Sequence, residues 1–220
     1  MSSPRKFGVS PSLKISGLTR GVAIASLLLF LVTAFWVTAF GITAPPATAS
    51  LLRTADAGAI VVQSRRTLRD QNRQSWQAIA FKRVQPDLSD QPLYLRLVAF
   101  PDSVAIDHPQ PILLSNIQGQ VWTAADRSDQ IAASPQPSVG QYELQAILPN
   151  LSDQPLRLEV PTVNGEAIVL RIPIALIQEW RIVAQSQVSQ LTQDCGQFPL
   201  EARQNPDFPE WTGCRGQSGA

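Results

Sequence analysis

Apolar and polar residues alternate with a period of two along much of the chain between residues 59 and 172, which is the pattern of β-strands. The clearest example runs from Trp76 to Pro101 and predicts a strand, a tight proline-bounded connection and a second strand. In the second strand, alternate residues from Leu93 to Ala99 lie on one face, and those from Tyr94 to Phe100 lie on the other. Both faces are largely apolar, so we expect this strand at the centre of a β-domain with both of its faces covered.

Shorter alternating runs on either side bring the total to about eight strands, separated by turn residues. The strongest turn signal is Asn164-Gly165, a candidate two-residue type I′ turn. Many short strands at this spacing are typical of all-β folds. The pattern predicts a two-sheet β-sandwich or partly open barrel, built from segments 59–70, 76–84, 93–99, 111–116, 119–125, 141–148, 155–163 and 166–172.

The hydrophobic period changes after Pro173. Apolar residues then fall at helical spacing, at Ile177, Trp180, Ala184, Val188 and Leu191. This predicts one C-terminal helix packed on a sheet, where its apolar stripe is expected to cover the face that carries Tyr94, Val98 and Phe100. The chain beyond Leu191 is rich in Gly, Pro and Gln and forms a tail.

The N-terminal part of the chain predicts export. Residues 21–44 form an uncharged apolar run, preceded by four basic residues and followed by Ala47-Thr48-Ala49, which fits the rule for signal cleavage before Ser50. The alternative is an uncleaved anchor, because the run is long enough to span a bilayer. In both cases the basic flank stays in the cytoplasm and the remainder crosses the membrane. The chain is accordingly divided into a signal peptide or N-terminal membrane anchor (1–49), a β-sandwich domain (50–190) and a Pro- and Gly-rich tail (191–220).

The charge balance gives no reason to expect a nucleic acid as a partner. Residues 1–49 hold four of the 18 basic residues and no acidic one, so the rest of the chain, with 14 basic and 17 acidic residues, carries −3. A mildly acidic domain has no general attraction to a polyanion.

The two cysteines, Cys195 and Cys214, both lie in the tail. Because export brings them into an oxidising compartment, we predict that they form an intramolecular disulfide. It would close a loop of about 20 residues and stabilise the fold by about 3 kcal/mol on the chain-entropy model. The alternative is two free thiols. The disulfide is expected to order this otherwise loose segment, and the tail is expected to be dispensable for the fold.

The sequence offers little support for catalysis, and we predict no catalytic, cofactor-binding or metal-binding residues. A single histidine, His108, cannot supply a usual zinc site, and no Cys-x-x-Cys or His-Glu-x-x-His motif is present. Asp107 and His108 could serve a nucleophile such as Ser103, but a proline-flanked loop pair is the simpler interpretation. A glycosidase needs two carboxylates and no local motif, yet nothing singles out a pair among the 17 acidic residues.

A basic run on neighbouring strands is the strongest candidate for a binding site. If segments 59–70 and 76–84 form a hairpin, part of this run makes a positive face on an otherwise acidic domain. Arginine binds carboxylate or phosphate groups through two parallel hydrogen bonds and is enriched at interface hot spots. The alternative is cross-strand pairing with acids such as Asp70 and Asp87. We predict that a protein or an anionic membrane surface binds at Arg65, Arg66, Arg69, Trp76, Lys82 and Arg96, and that the arginines contribute more to binding than to stability.

Several segments resemble a cyanobacterial family of exported proteins classed as a domain of unknown function. The resemblance covers roughly residues 58–184 and implies a periplasmic or thylakoid-lumen location, but it brings no activity and no site residues. The segments that carry it are S-R-R-T-L-R-D-Q (64–71), W-Q-A-I-A-F-K-R (76–83), L-R-L-V-A-F-P (95–101), H-P-Q-P (108–111), G-Q-V-W (119–122), V-G-Q-Y-E-L (139–144) and Q-E-W-R (178–181).

Together these observations predict an exported, non-enzymatic binding or docking module that associates with a membrane complex through the basic hairpin face. Two alternatives stay open. A small-ligand carrier would need an apolar pocket between the sheets. A hydrolase would need a cleft with convergent polar groups.

Overall fold

The computed structural model describes residues 51–56, 58–88, 91–101, 103–131 and 136–217. The predicted export segment and its cleavage site lie outside these residues. Of the helices in the described ranges, none combines the length and the apolar character needed to cross a membrane.

Nine short antiparallel strands form two sheets, which do not close into a barrel over the described residues. The first sheet has the order β1-β2-β3-β4-β7 and the second β6-β5-β8-β9. This confirms the prediction of a two-sheet, mainly β fold with a C-terminal helical region. The strands are β1 (Leu52–Asp56), β2 (Ala59–Arg69), β3 (Ser75–Val84), β4 (Tyr94–Ala99), β5 (Ile112–Ser115), β6 (Val121–Ala124), β7 (Val139–Glu143), β8 (Leu156–Val160) and β9 (Ile168–Ile172).

Side-chain hydrogen bonds explain why the chain turns between β2 and β3. One carboxylate oxygen of Asp70 accepts from the backbone N–H groups of Asn72 and Gln74, both at 2.8 Å. Arg73, between them, has a positive φ of 64°, a backbone conformation that residues other than glycine rarely adopt outside a tight turn. The other carboxylate oxygen accepts from Nε1 of Trp76 at 3.1 Å. Both oxygens of this buried carboxylate therefore have donors, and the turn is tied to the start of β3.

The space between the sheets is filled by one cluster of buried side chains. We call the face of each sheet that contributes to this cluster its inner face, and the opposite face its outer face. Every second residue of β4 and of β8 is buried, as the period-two pattern predicts. The largest inner-face members include Trp76, Leu95, Leu97, Leu114, Tyr142 and Leu158.

The helical region is more divided than the apolar spacing predicts. Helix α1 (Ile174–Ala184) ends before Val188, and two short helices follow, α2 (Val188–Leu191) and α3 (Leu200–Gln204). Helix α1 packs on β2 and β3. Its buried stripe consists of Leu176, Ile177, Trp180 and Val183, which join the cluster between the sheets.

The expectation that this helix covers the Tyr94 face of β4 is wrong. The α1 stripe belongs to the same cluster as Leu95 and Leu97, which lie on the opposite, inner face of β4. Both faces of β4 are apolar in sequence, so the pattern alone could not show which one the helix covers. As a result Phe100, just beyond β4, is 74% exposed.

The C-terminal tail is folded onto the first sheet. Phe198, Phe208 and Cys214 form a second buried cluster with Ile60 and Val62 of β2. The Cys195–Cys214 disulfide is present, which confirms that prediction. The tail is thus packed on the sheet as well as cross-linked, because these side chains cover the end of the β2–β3 hairpin that α1 does not reach.

Gly140 is required where β7 passes the ring of Tyr142. A Cβ at this position would lie 2.6 Å from the Tyr142 hydroxyl oxygen and 2.9 Å from a ring carbon. Both residues are buried, so the ring has little room to move. We expect Gly140→Ala to lower the free energy of unfolding by about 1–3 kcal/mol through overpacking, measured by urea denaturation.

A second substitution tests this explanation. The Tyr142 hydroxyl is buried and has no hydrogen-bond partner among the described residues, so Tyr142→Phe is expected to cost little by itself. Because that hydroxyl makes the shortest contact, adding Tyr142→Phe to Gly140→Ala should recover part of the lost stability. Equal stability of Gly140→Ala and the parent protein would contradict the explanation.

Candidate docking face

The structure divides the six predicted partner-binding residues between two faces of the first sheet. Residues directly opposite each other in antiparallel strands share a face. Arg65 is opposite Ile79, and Ile79 is opposite Arg96, so these three lie in one row. Arg66, by contrast, is opposite the buried Ala78 and belongs to the inner face.

Trp76, Lys82 and Arg66 are held by internal contacts on the inner-face side. Trp76 is 1% exposed and donates Nε1 to Asp70, so its side chain is not accessible to a partner. The Lys82 ammonium donates to the carbonyl of Ala184 at 2.8 Å, at the end of α1. Lys82 thus ties the end of the helix to the hairpin, and Arg66 makes a second such contact.

The Arg66 guanidinium is the partner of a buried carboxylate, Glu179 of α1. Its Nε donates to the two oxygens of Glu179 at 3.0 and 3.1 Å, and Ser64 donates its hydroxyl to the same carboxylate. The Glu179 side chain is 7% exposed, whereas that of Arg66 is 47% exposed. Burial by itself would raise the pKa of Glu179, but the hydrogen bonds from Arg66 and Ser64 and the charge of Arg66 outweigh it and hold that pKa below its ordinary value. This arrangement anchors α1 to β2.

On the outer face, Arg96 lies over an aromatic pair. Its guanidinium carbon is 5.1 Å from the centroid of the Phe81 ring, a cation–π arrangement. The Phe81 and Tyr94 rings are 5.7 Å apart, on neighbouring strands. Burial lowers the pKa of Arg96. The pKa of Tyr94 is raised, mainly by burial and to a smaller extent by the charge of Glu143. Both directions show a site from which water is partly excluded.

Arg96 has a neutral hydrogen-bond acceptor and no carboxylate partner among the described residues. Its Nη2 donates to the side-chain oxygen of Gln141 at 2.7 Å, and its Nε is buried without a partner in the described part of the chain. Arg65, in the same row, is exposed and makes no ion pair with a described residue. We define the docking face as Arg65, Ile79, Phe81, Tyr94 and Arg96.

Ion pairs lie at the margins of this face. Arg83 pairs with Asp56 at 2.8 Å, on the side of β1. Arg127 pairs with Glu143 at 3.1 Å, on the side of β7. The carboxylates of Asp56 and Glu143 are therefore paired at these margins, while the charge of a further acid, Asp129, acts on Tyr94. The charges within the docking face itself are those of Arg65 and Arg96.

Arg69 also has an outward position, at the end of β2, but it lies beyond the docking face. It donates Nη1 to the carbonyl of Arg73 at 3.1 Å. It lines a cleft beside Arg157 and Arg171 of the second sheet instead.

The residues considered for catalysis do not come together as a nucleophile and its base. The Ser103 hydroxyl donates to the carbonyl of Phe100 at 2.6 Å. His108 pairs through Nδ1 with Asp126 at 2.5 Å rather than with Asp107. In addition, the described residues contain no group of three or more His, Cys, Asp or Glu side chains arranged to hold a metal ion.

The period-two rule could have separated Arg65 from Arg66 before the structure was known, since adjacent residues of a strand face opposite sides. Phe81 and Tyr94 were not predicted as site residues. Their signal is present in the sequence, because an antiparallel hairpin brings them close together. The sequence pattern does not show which face of the first sheet α1 covers and which face stays exposed.

Comparison with known proteins identifies a family for this chain. A family model described as "Protein of unknown function (DUF3122)" matches residues 49–183, which is more than half of the chain. No curated protein and no solved structure matches the chain. The matched range includes the whole docking face and nearly all of α1, and it ends before the disulfide-bonded tail.

Proposed function

Since the chain belongs to the protein family of unknown function DUF3122, no activity follows from its membership, and we propose that it is an exported, non-enzymatic docking module. The docking face binds an acidic surface of a protein in a membrane complex on the exported side. The disulfide fits an oxidising compartment, and the resemblance described above points to the periplasm or the thylakoid lumen.

The observation that carries this proposal is the environment of Arg96. A partly desolvated guanidinium normally has a carboxylate partner, because leaving it unpaired costs free energy. Here it is stacked on Phe81 and bonded only to a neutral amide among the described residues. A carboxylate supplied by another protein would complete its hydrogen bonding and gain from the low local dielectric.

The composition of the face favours a protein over a lipid surface. Arg and Tyr are enriched at the centres of protein interfaces, where neighbouring residues exclude water. The Phe81 and Tyr94 rings pack against each other in the sheet and are half-buried. A lipid-binding surface would instead present apolar side chains that project into the bilayer.

A paired comparison tests this function. We expect the double variant Arg65→Ala, Arg96→Ala to reduce retention of the exported protein in the membrane fraction by at least about tenfold, because truncating an interface arginine can cost roughly 2 kcal/mol. The matched control is Arg181→Ala with Arg215→Ala, which also removes two positive charges. These two arginines lie outside the docking face and are paired with Asp153 and Glu210. It should remain in the membrane fraction, and thermal unfolding of both variants shows whether either change acts through stability.

Salt and pure lipid provide two further outcomes. Retention of the parent protein should weaken as salt is added, since exposed charges are screened over about 10 Å at 0.1 M. Flotation with phosphatidylglycerol vesicles that contain no protein should show no binding through Arg65 and Arg96. If those vesicles bind the parent protein but not the double variant, the partner is lipid and the proposal of a protein partner fails.

A further inference from the structure

Three arginines lie side by side where the two sheets meet. Asp70, at the end of β2, forms an isolated antiparallel bridge with Leu170 of β9. The register of this bridge sets Arg69 opposite Arg171, and Arg171 is directly opposite Arg157 of β8. The arginine row, Arg69–Arg171–Arg157, therefore crosses three adjacent strands on the outer side of the molecule.

Such a row is unfavourable without a counterion. Neighbouring strands are about 4.8 Å apart, and like charges directly opposite each other destabilise a sheet. Arg157 has a carboxylate partner, Glu159, at 2.8 Å. Arg69 is bonded to a backbone carbonyl, and Arg171 makes no hydrogen bond or ion pair with any described residue. Glu159 therefore offsets the charge of Arg157, while Arg171 has no carboxylate partner of its own in the described part of the chain.

The row lines a cleft of about 500 Å³ whose walls are fixed. Gln71 ties the β2–β3 turn to β9, because its side-chain oxygen accepts from the N–H of Val169 at 2.7 Å and its amide donates to the carbonyl of Ala167 at 3.2 Å. Asp70 also lines the cleft, but both of its oxygens are occupied by N–H donors. Counting Asp70 and Glu159 against the three arginines still leaves the cleft positively charged.

We propose that this cleft binds a tetrahedral oxyanion, a phosphate or phosphoryl group. Each guanidinium presents a planar fork of N–H donors that suits the oxygens of an anion. One fork is enough for the two oxygens of a carboxylate, whereas a phosphate has three or four oxygens and can accept from all three guanidinium groups. A doubly charged anion also removes the repulsion along the row. The site is separate from the docking face, since it uses Arg157 and Arg171 of the second sheet in place of Arg65 and Arg96.

The test measures inorganic phosphate binding to the protein purified after export into a bacterial periplasm. Titration calorimetry with phosphate should show one site, and the midpoint of thermal unfolding should rise more in phosphate than in chloride at equal ionic strength. Arg171→Gln should weaken phosphate binding at least about tenfold, because it removes a charge-assisted bidentate contact. Arg65→Gln, an equal charge change on the docking face, should leave phosphate binding unchanged.

The stability of Arg171→Gln in phosphate-free buffer tests independently whether Arg171 has a structural role. A structural arginine would lose stability on substitution, whereas this one should be unchanged or more stable because a like-charge contact disappears. Phosphate also stabilises proteins in general, because it is excluded from their surface. If phosphate raises the midpoint of thermal unfolding of Arg171→Gln as much as that of the parent protein, the proposal is overturned. If Arg171→Gln fails to fold, Arg69→Gln at the other end of the row should lose phosphate binding, and unchanged binding there would overturn it too.

Vesicles distinguish a small molecule from a lipid headgroup as the source of the phosphoryl group. Arg171-dependent binding to phosphatidylglycerol vesicles, with no binding to phosphatidylcholine vesicles, assigns the cleft to a lipid. Binding of inorganic phosphate alone assigns it to a soluble ligand. Failure to bind either phosphate or anionic vesicles through Arg171 contradicts the site, and the docking proposal is unaffected by that result.

Discussion

Ending the chain after Ser186 should lower the free energy of unfolding by several kcal/mol, even though all the residues removed lie outside the family match. The removed segment, α2 and the tail, covers Ile60, Val62 and Val84, which are at most 4% exposed in the intact protein. Exposing a fully buried aliphatic side chain costs about 1.5–3 kcal/mol. Urea denaturation monitored by circular dichroism measures this loss. The newly exposed apolar patch should also make the shortened protein aggregate.

A disulfide variant separates covering from cross-linking. Cys195→Ser with Cys214→Ser keeps the tail but removes the link between two residues 19 apart in sequence, which should cost about 3 kcal/mol on the chain-entropy model. We expect this double variant to be destabilised but to remain monomeric, unlike the shortened chain. If the shortened chain unfolds at the same urea concentration as the parent protein, the tail is dispensable and its contacts with β2 and β3 contribute nothing.

Arg66→Ala should destabilise the protein by about 2–3 kcal/mol, whereas Arg65→Ala next to it should change stability by less than about 0.5 kcal/mol. Removing Arg66 leaves the buried Glu179 carboxylate with Ser64 as its remaining donor among the described residues. The estimate is at the low end for a broken buried pair, since about half of the Arg66 side chain is in contact with water. Chemical denaturation at pH 7 compares the two variants, and equal losses would contradict the assignment of Arg66 to the inner face.

The same pair gives a dependence on pH with a definite sign. The folded-state pKa of Glu179 is lowered, so its contribution to stability is complete above its unfolded pKa of about 4.3 and disappears as the pH falls through the folded value. In Arg66→Ala the pKa of Glu179 should rise, because burial is no longer opposed by Arg66. Acid unfolding of this variant should then begin at a higher pH than in the parent protein.

The sequence predicted the strands and sheets because period-two alternation is a local property. Which arginines share a surface depends on their strand positions, and the predicted basic face combined residues from both sides of the sheet. In a strand, Arg65 and Arg66 point to opposite sides, and the register places Arg65 with Arg96 across β3. Since Arg66 pairs with Glu179 on the inner face, we expect it to contribute more to stability than to binding, unlike Arg65.

The remaining differences arise from contacts between distant segments. The apolar residues of the tail, such as Phe198 and Phe208, follow no period, so their packing on Ile60 could not be read from the pattern. The arginine row depends on the bridge between Asp70 and Leu170, which are 100 positions apart. Register between sheets is set by tertiary packing, and a local pattern contains no information about it.

The docking face is tested most directly by site-specific photo-crosslinking in exporting cells. A photoreactive residue in place of the exposed Gln77, which lies on the same outer face opposite Val98, is compared with one in place of the exposed Thr123, on the outer face of the second sheet. The proposal predicts an adduct from position 77 with an acidic protein of the membrane fraction, lost at high salt and in the Arg65→Ala, Arg96→Ala background, and no such adduct from position 123. An adduct of equal yield from both positions, or one from position 77 that persists without the two arginines, would contradict it.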